Sequence, residues 1–283
     1  MKFQVFSELQ YQVYSPSTFI FSIQACRTGS QAIEEERLII NPFIEYEEIM
    51  GAEGESRFIR LKAAGNSQFT LRYQATVDID YDMIHQRKLS QAVPVNKLDA
   101  AVMPYLFPSR YCQSDKLQKL ASKEFGNIET AYGKVAAIAE WIYNNVEYTS
   151  GATNSSTSAY DTLTERVGVC RDFAHLGIAL CRALSIPARY FTGYAYNLNP
   201  PDFHACFEAY IGGEWIFFDP TKLVPVNGLV KIANGRDAAD AAVASIYGNV
   251  ACTSMIVQCD CSDPAFKPYY NNNAENQKGL SYT

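Results

Sequence analysis

The first hundred residues alternate. Gln4–Tyr14 and Phe19–Cys26 contain stretches with an apolar side chain at every second position, and Phe58–Leu61 and Phe69–Ile79 do likewise. A period of two is that of a strand with one buried face. Ser15-Pro16-Ser17, Asn41-Pro42, Gly51–Gly54 and Gly65-Asn66 supply turn residues between these stretches. Short strands at this spacing predict a β-sandwich.

The period changes near Pro94–Pro108. Ser114-Asp115 is expected to cap a helix over Lys116–Phe125, and Thr130 one over Ala131–Asn145, where Val135, Ile138, Trp141 and Ile142 share a face. Ser150–Ser158 is small and polar, a loop in composition. Tyr160–Glu165 is helical and leads to a helix that begins at Cys170. That helix is apolar nearly all round, so it is expected in the core, and Ser185-Ile186-Pro187 ends it. Ala188–Tyr194 reads as a strand. Phe203–Ile211 and Glu214–Asp219 read as a hairpin turning at Gly212-Gly213. Val230–Val243 reads as a loop with a short helix, Cys252–Asp260 as a strand, and the segment from Pro264 as a frayed polar tail. The predicted class is α+β. Residues 1–100 form a β-rich unit, 101–263 a second unit, and 264–283 the tail.

Composition narrows the partners. A net charge of −6 with no long Lys/Arg cluster argues against nucleic acid. No apolar run reaches the ~18 residues of a membrane span, and the N-terminal segment lacks the apolar stretch of a signal peptide. A cytoplasmic, non-membrane protein is expected. Its eight cysteines are then reduced thiols rather than a disulfide frame.

Chemistry concentrates in three places. Cys170, after Gly168-Val169, stands at a helix N-terminus, where free N–H groups and the dipole favour a thiolate. The two-residue Gly-Gly turn sets Ile211 opposite Glu214, hence Cys206 opposite Asp219 and His204 opposite Thr221. His204, Cys206 and Asp219 then share a face, with His204 and Asp219 diagonal neighbours at roughly 7–8 Å. Phe203, Ala205 and Phe207 are expected behind the sheet, and the Cys170 sulfur within about 4 Å of a His204 ring nitrogen. The Cys170 N–H is one oxyanion donor, and Tyr148 and Tyr160 are weak candidates for a second. Nucleophile, base and orienting carboxylate are all available.

Neighbouring groups have plainer readings. Asp172 caps the helix. His175, some 140° around from Cys170, does not share its face. Cys181 and Cys206 are packing residues. Cys252, Cys259 and Cys261 are read as alternating between strand faces, with no CxxC pair and no nearby histidine, so zinc is disfavoured. No loop of spaced carboxylates suggests calcium.

The runs GVCRDFAHLGIALCRALSIPARYFTGY and FHACFEAYIGGEWIFFDPT resemble the transglutaminase-like superfamily, a papain-like cysteine-enzyme group, over about Ala137–Thr221. The first hundred residues resemble the amino-terminal domain of many bacterial members. The resemblance implies Cys170 as nucleophile, His204 as general base and acid, and Asp219 as the residue orienting His204. It also implies a Cys helix packed on an antiparallel sheet. A cofactor-free enzyme forming a thioester acyl-enzyme with a peptide or protein is expected, a peptidase or amidase. A glutamine amine transferase and a non-catalytic peptide-binding scaffold are the alternatives. Oligomeric state is not legible.

Overall fold

The computed structural model describes residues 1–51, 54–85, 87–270 and 278–282. The chain opens with strands β1 (Lys2–Val13), β2 (Ser17–Phe21), β3 (Gln31–Asn41), β4 (Tyr46–Met50), β5 (Arg57–Ala63), β6 (Ser67–Ile79) and β7 (Asp82–His85). The middle holds α1 (Ser114–Phe125), α2 (Ala131–Asn145), β8 (Glu147–Tyr148), α3 (Ala159–Glu165), β9 (Val167–Gly168) and α4 (Cys170–Ala183). Then come β10 (Ala188–Ala195), β11 (Phe203–Ile211), β12 (Glu214–Phe218), β13 (Leu229–Gly235), β14 (Ala244–Tyr247), β15 (Val250–Cys261) and β16 (Lys278–Ser281). The class is α+β, as expected.

Two four-stranded antiparallel sheets, ordered β15-β1-β6-β3 and β14-β2-β5-β4, make the N-terminal sandwich. The alternation in sequence is the alternation in burial: Phe3, Val5, Leu9, Tyr11 and Val13 of β1 point inward, as do Phe69, Leu71, Tyr73, Val77 and Ile79 of β6. Tyr11 and Phe69 from one sheet meet Phe19 from the other, with centroids 5.1 to 5.5 Å apart. Aromatic contacts of this kind add about 0.5–1.5 kcal/mol beyond the area they bury. Strand β3 escapes the period because Glu34-Glu35-Glu36 interrupts it and its register on β6 slips between Ile33 and Glu35.

The sheets correct the sequence-based division in three places. Strands β14 and β15 fall within 101–263, yet β14 pairs with β2, and β15 runs along β1 from Phe3–Cys261 to Val13–Val250. The late strands cover sheet edges that the first hundred residues would leave open. Val230–Val243 is not a loop with a helix: its first part lies in β13, paired with β10, and Leu229–Ala233 is buried without a break. A strand buried on both faces has no alternation to read. The tail is not wholly frayed. Lys278–Ser281 pairs with β7, and Tyr282 is anchored by its hydroxyl, which donates to the Val226 carbonyl at 2.7 Å. The rest of the expected tail includes 271–277, which lies outside the described residues.

In β15 the side-chain directions also differ from expectation. Cys259 is buried and Cys261 half-buried, whereas Gln258 and Asp260 between and beside them are exposed. Residues two apart on a strand share a face.

The second layer is the sheet β12-β11-β10-β13, with α4 laid on it. The turn is two residues long and Ile211 faces Glu214, as the Gly-Gly pair requires. Both turn glycines have positive φ, 63° and 89°. Helix α2 begins as expected, the Thr130 hydroxyl accepting from the Gly133 N–H at 3.1 Å. Helix α1 starts at Ser114 itself, so Ser114-Asp115 is its first turn and not its cap. Phe207 does not lie behind the sheet. It fills the gap between sheet and α4, so close to Gly177 that a Cβ there would stand 2.5 Å from its ring.

Buried hydrogen bonds join the two layers. Tyr194 of β10 donates to the Ile23 carbonyl at 2.7 Å. The Gln31 amide bridges the carbonyls of Cys26 and Lys231 at 2.8 and 2.9 Å and accepts from the Lys231 N–H at 2.8 Å.

Gly177→Ala is expected to destabilise the protein by about 1–3 kcal/mol, the cost of overpacking a filled core. Urea unfolding measures it, and an unchanged midpoint would contradict the packing described.

Candidate active site

Helix α4 begins where a short parallel pair sets it. Tyr148 of β8 lies opposite Gly168 of β9, and the Thr149 N–H donates to the Gly168 carbonyl at 3.0 Å. Gly168 must be small, because a Cβ would come within 2.8 Å of the Asp172 Cβ. Asp172 is fully buried and organises the first turn. Its Oδ2 accepts from the Val169 N–H at 3.0 Å and the Thr153 hydroxyl at 2.6 Å. Its Oδ1 takes two bonds from Arg171, at 2.8 and 3.1 Å, and Arg171 also donates to the Asn154 carbonyl at 2.7 Å. The carboxylate therefore caps the helix, as its place in the first turn suggests, and ties the Ser150–Ser158 loop to it. Cys170, half-buried, is left at the opening of the helix.

His204 reaches Asp219 across the end of β11. Its Nε2 lies 2.9 Å from Asp219 Oδ2, with both side chains buried. Asp219 Oδ1 accepts from the backbone N–H and the hydroxyl of Thr221, at 2.9 and 2.7 Å. Both carboxylate oxygens are thus committed, and the imidazole is held in one orientation. Thr221 was legible only as the residue opposite His204. Its hold on Asp219 follows from the Asp-Pro-Thr turn, in which a carboxylate bonds the N–H two residues on.

Burial resists charging the His204 ring. The Cys206 thiol and Asp219, with a contribution from Cys170, outweigh it and hold the imidazole well above its usual range. Burial pushes Cys206 itself up to about 12, so near neutral pH it carries no charge and Asp219 is the effective partner. His204 Nδ1 makes no completed hydrogen bond. With Nε2 committed to Asp219, it is the ring nitrogen left to meet the Cys170 thiol, which acts on this imidazole.

Both strand alternations border the site. Phe203 and Ala205 line the same cleft of about 510 Å³ as Cys170 and His204, so they are not behind the sheet. The flat two-face count fails here because the β11–β12 ladder stops at Phe207–Phe218. The site lies past the last β11–β12 pair, on a part of β11 that β10 still flanks as far as Tyr194–Phe203, and the cleft reaches around the edge that β12 leaves open. Tyr148 packs its ring 5.7 Å from Phe173, one turn along α4 from Cys170. Burial first, then the neighbouring Cys170 side chain, push its phenol up to about 12.

The remaining candidates have other places. His175 is buried and stacked on Tyr111 at 5.0 Å; its Nε2 accepts from the Ala238 N–H at 3.1 Å, and burial takes it down to about 3. It is a neutral core histidine. Cys181 is fully buried, its thiol pushed far up by burial. Donor atoms of His204, Cys206 and Asp219 lie within 4.8 Å of one another, the group of metal-ligand type found among the described residues. The bonds already made by His204 and Asp219 account for that closeness.

Comparison with known proteins places the chain in a family. Residues 118–220 match the transglutaminase-like superfamily, and residues 1–101 match the N-terminal domain of bacterial transglutaminase. A crystal structure from Cytophaga hutchinsonii, provisionally assigned as a cysteine protease, is 65% identical over 100% of this chain and 98% of that one, with a TM-score of 0.98. The chain belongs to the transglutaminase-like superfamily. An uncharacterised protein of Mycobacterium leprae is 33% identical over 133 residues, 44% of this chain and 47% of that relative. The chain therefore spans about half the length of such curated relatives. The periplasmic domain of TgpA from Pseudomonas aeruginosa is more distant, 17% identical over 76% of each chain, with a TM-score of 0.42. No helix among the described residues of this transglutaminase-like chain is long and apolar enough to cross a membrane.

Asp172→Ala removes a buried cap and leaves Arg171 with the Asn154 carbonyl but no carboxylate. A loss of about 2–4 kcal/mol is expected, measured by urea unfolding. A loss below ~0.5 kcal/mol would show that the helix start is held by other contacts.

Proposed function

We propose that this protein is a cysteine-nucleophile enzyme that hydrolyses amide bonds in peptides or proteins through a thioester acyl-enzyme. The observation that supports this most directly is the His204–Asp219 bond at 2.9 Å beside a cleft that also holds Cys170. A buried imidazole, oriented by a carboxylate and next to a thiol at a helix start, is an arrangement for moving one proton between sulfur and substrate.

In this reading the Cys170 sulfur attacks the carbonyl carbon, and its proton resides on His204 Nδ1. The carbonyl oxygen becomes an oxyanion and accepts from the Cys170 N–H, with the Tyr148 hydroxyl as second donor. One such donor is worth about 3 kcal/mol in the transition state. The C–N bond breaks as His204 gives its proton to the departing amine. Water then attacks the thioester, His204 takes a proton from it, and the acid leaves with the thiol restored. An amine in place of water would give transamidation by the same half-reaction. Hydrolysis is preferred because water is always present and no amine-binding group stands out in the cleft. Eight unpaired cysteines suit a reducing compartment such as the cytoplasm.

Cys170→Ala is expected to abolish turnover of peptide amides while leaving stability nearly unchanged, since a half-buried thiol is removed from a helix start. Substantial turnover in this variant would refute the assignment.

The pH profile gives a second test. Asp219 favours the charged imidazole, so neutralising it lowers the His204 pKa. Asp219→Asn is expected to reduce kcat by about 10²–10⁴ and to move the alkaline limb of the profile, where the imidazolium is lost, to lower pH. An unmoved limb would show that Asp219 does not set the charge of His204.

A further inference from the structure

The cleft beside Cys170 has two unlike walls. One is sheet: Tyr190 and Thr192 from β10, Phe203 and Ala205 from β11. The other is the run Ala238–Ser245, whose sequence is Ala-Ala-Asp-Ala-Ala-Val-Ala-Ser. Small side chains normally let facing surfaces close together, but this run is pinned at three backbone positions. The Ala238 N–H donates to His175 Nε2 at 3.1 Å, the Ala241 carbonyl accepts from the Thr192 hydroxyl at 2.9 Å, and the Val243 carbonyl accepts from the Ser22 N–H at 2.9 Å. Ala244 then enters β14, opposite Phe21 of the sandwich. The run is thus tied to α4 at Ala238, to the sheet itself at Ala241 and to the sandwich at Val243, and its small side chains line the cleft beside these anchors with little bulk.

Charge is scarce in that space. Asp240, the acidic residue of the run, is not on the cleft; it is bound by the Arg236 N–H and guanidinium at 2.8 to 3.1 Å. Apart from His204, the cationic lining group is Arg171, which gives its Nε and Nη2 to Asp172 and the Asn154 carbonyl. A substrate ammonium entering here would lose water and meet no free carboxylate, and a carboxylate would face an Arg171 whose charge Asp172 already balances. An apolar side chain would exchange water for the alanine and aromatic surfaces on either side.

We infer that the cleft between the Ala238–Ser245 wall and strands β10 and β11 is a specificity pocket for a bulky apolar side chain, of leucine or phenylalanine size, in the acyl half of a peptide substrate. This rests on the proposed acyl transfer at Cys170, because it is the nearness of that thiol that makes the occupant a substrate. The pocket also gives the sandwich a role: its pairing with β14 holds one wall of the cleft.

The test needs no natural substrate. Acetyl-dipeptidyl chloromethyl ketones, with Phe, Leu, Gly or Glu at either residue before the ketone, are scored by the rate of Cys170 alkylation in intact-mass spectra. Iodoacetamide, which has no side chain to place, is run in parallel. At one of the two positions Phe and Leu are expected to react about 30-fold faster than Gly, and Glu slower than Gly. Ala242→Phe, which fills the pocket, is expected to bring the Phe-to-Gly ratio close to one, with the glycine probe as internal reference. Ala239→Phe serves the same purpose should Ala242→Phe not fold. Equal rates for Phe and Gly, a preference for Glu, or a preference that survives the filled pocket would overturn the inference. If iodoacetamide labels Cys170 ahead of the other thiols while any of these holds, the pocket alone fails. If neither reagent labels Cys170, the acyl-transfer reading fails with it.

Discussion

His204 and Asp219 meet at 2.9 Å in a place that water does not reach, and that contact organises the site around it. A buried imidazole could satisfy its polar atoms in several ways. Here one nitrogen is committed to a carboxylate whose other oxygen is taken by Thr221. The ring is left with a single free nitrogen and a strong bias toward carrying charge. Removing a carboxylate of this kind would leave the imidazolium unpaired in a low-dielectric site, which is why the pair is more consequential than its single hydrogen bond suggests. The two-residue turn at Gly212-Gly213 makes the contact possible, because it fixes which residues of β11 and β12 lie opposite each other.

The thiol side depends on a separate network. Gly168 brings the chain close to Asp172, and Asp172 caps α4 while gathering Thr153 and Arg171. Gly177 then lets the helix settle on Phe207. Cap and packing together fix the height and position of Cys170 relative to the sheet that carries His204. The sandwich contributes from the far side, through Tyr194 and Gln31 and through the strand that continues the alanine wall. Cys170, His204 and the cleft are thus each positioned by a different part of the fold, and they meet where the parts converge.

The sequence was most informative where local chemistry decides the outcome. Alternation along β1 and β6, the Thr130 cap, the Gly-Gly register and the capping role of Asp172 can all be read from neighbouring residues. It was least informative where partners are far apart. Nothing near Val250–Cys261 says that this strand runs along the first one in the chain, and the terminal Lys278–Ser281 strand is recognisable only beside β7. The buried strand Leu229–Gly235 lacked a period because both its faces are covered. The side-chain directions around Phe203–Phe207 were misjudged for a related reason: a flat sheet has two faces, but β12 leaves β11 at Phe207–Phe218 and opens an edge beside the site. The His204–Asp219 contact was legible because the turn lays the two strands side by side, although their ladder stops short of both residues and Thr221 fixes the carboxylate.

In the proposed mechanism Cys170 carries the acyl group, and direct observation of that intermediate tests it. A peptide p-nitrophenyl ester, mixed with the protein and quenched in acid within seconds, should leave a protein whose mass is increased by one acyl unit. After digestion the added mass should map to the peptide containing Cys170 and be lost on treatment with hydroxylamine, as a thioester is. An adduct on another residue, or hydrolysis with no adduct that continues undiminished after Cys170 is blocked, would contradict the mechanism.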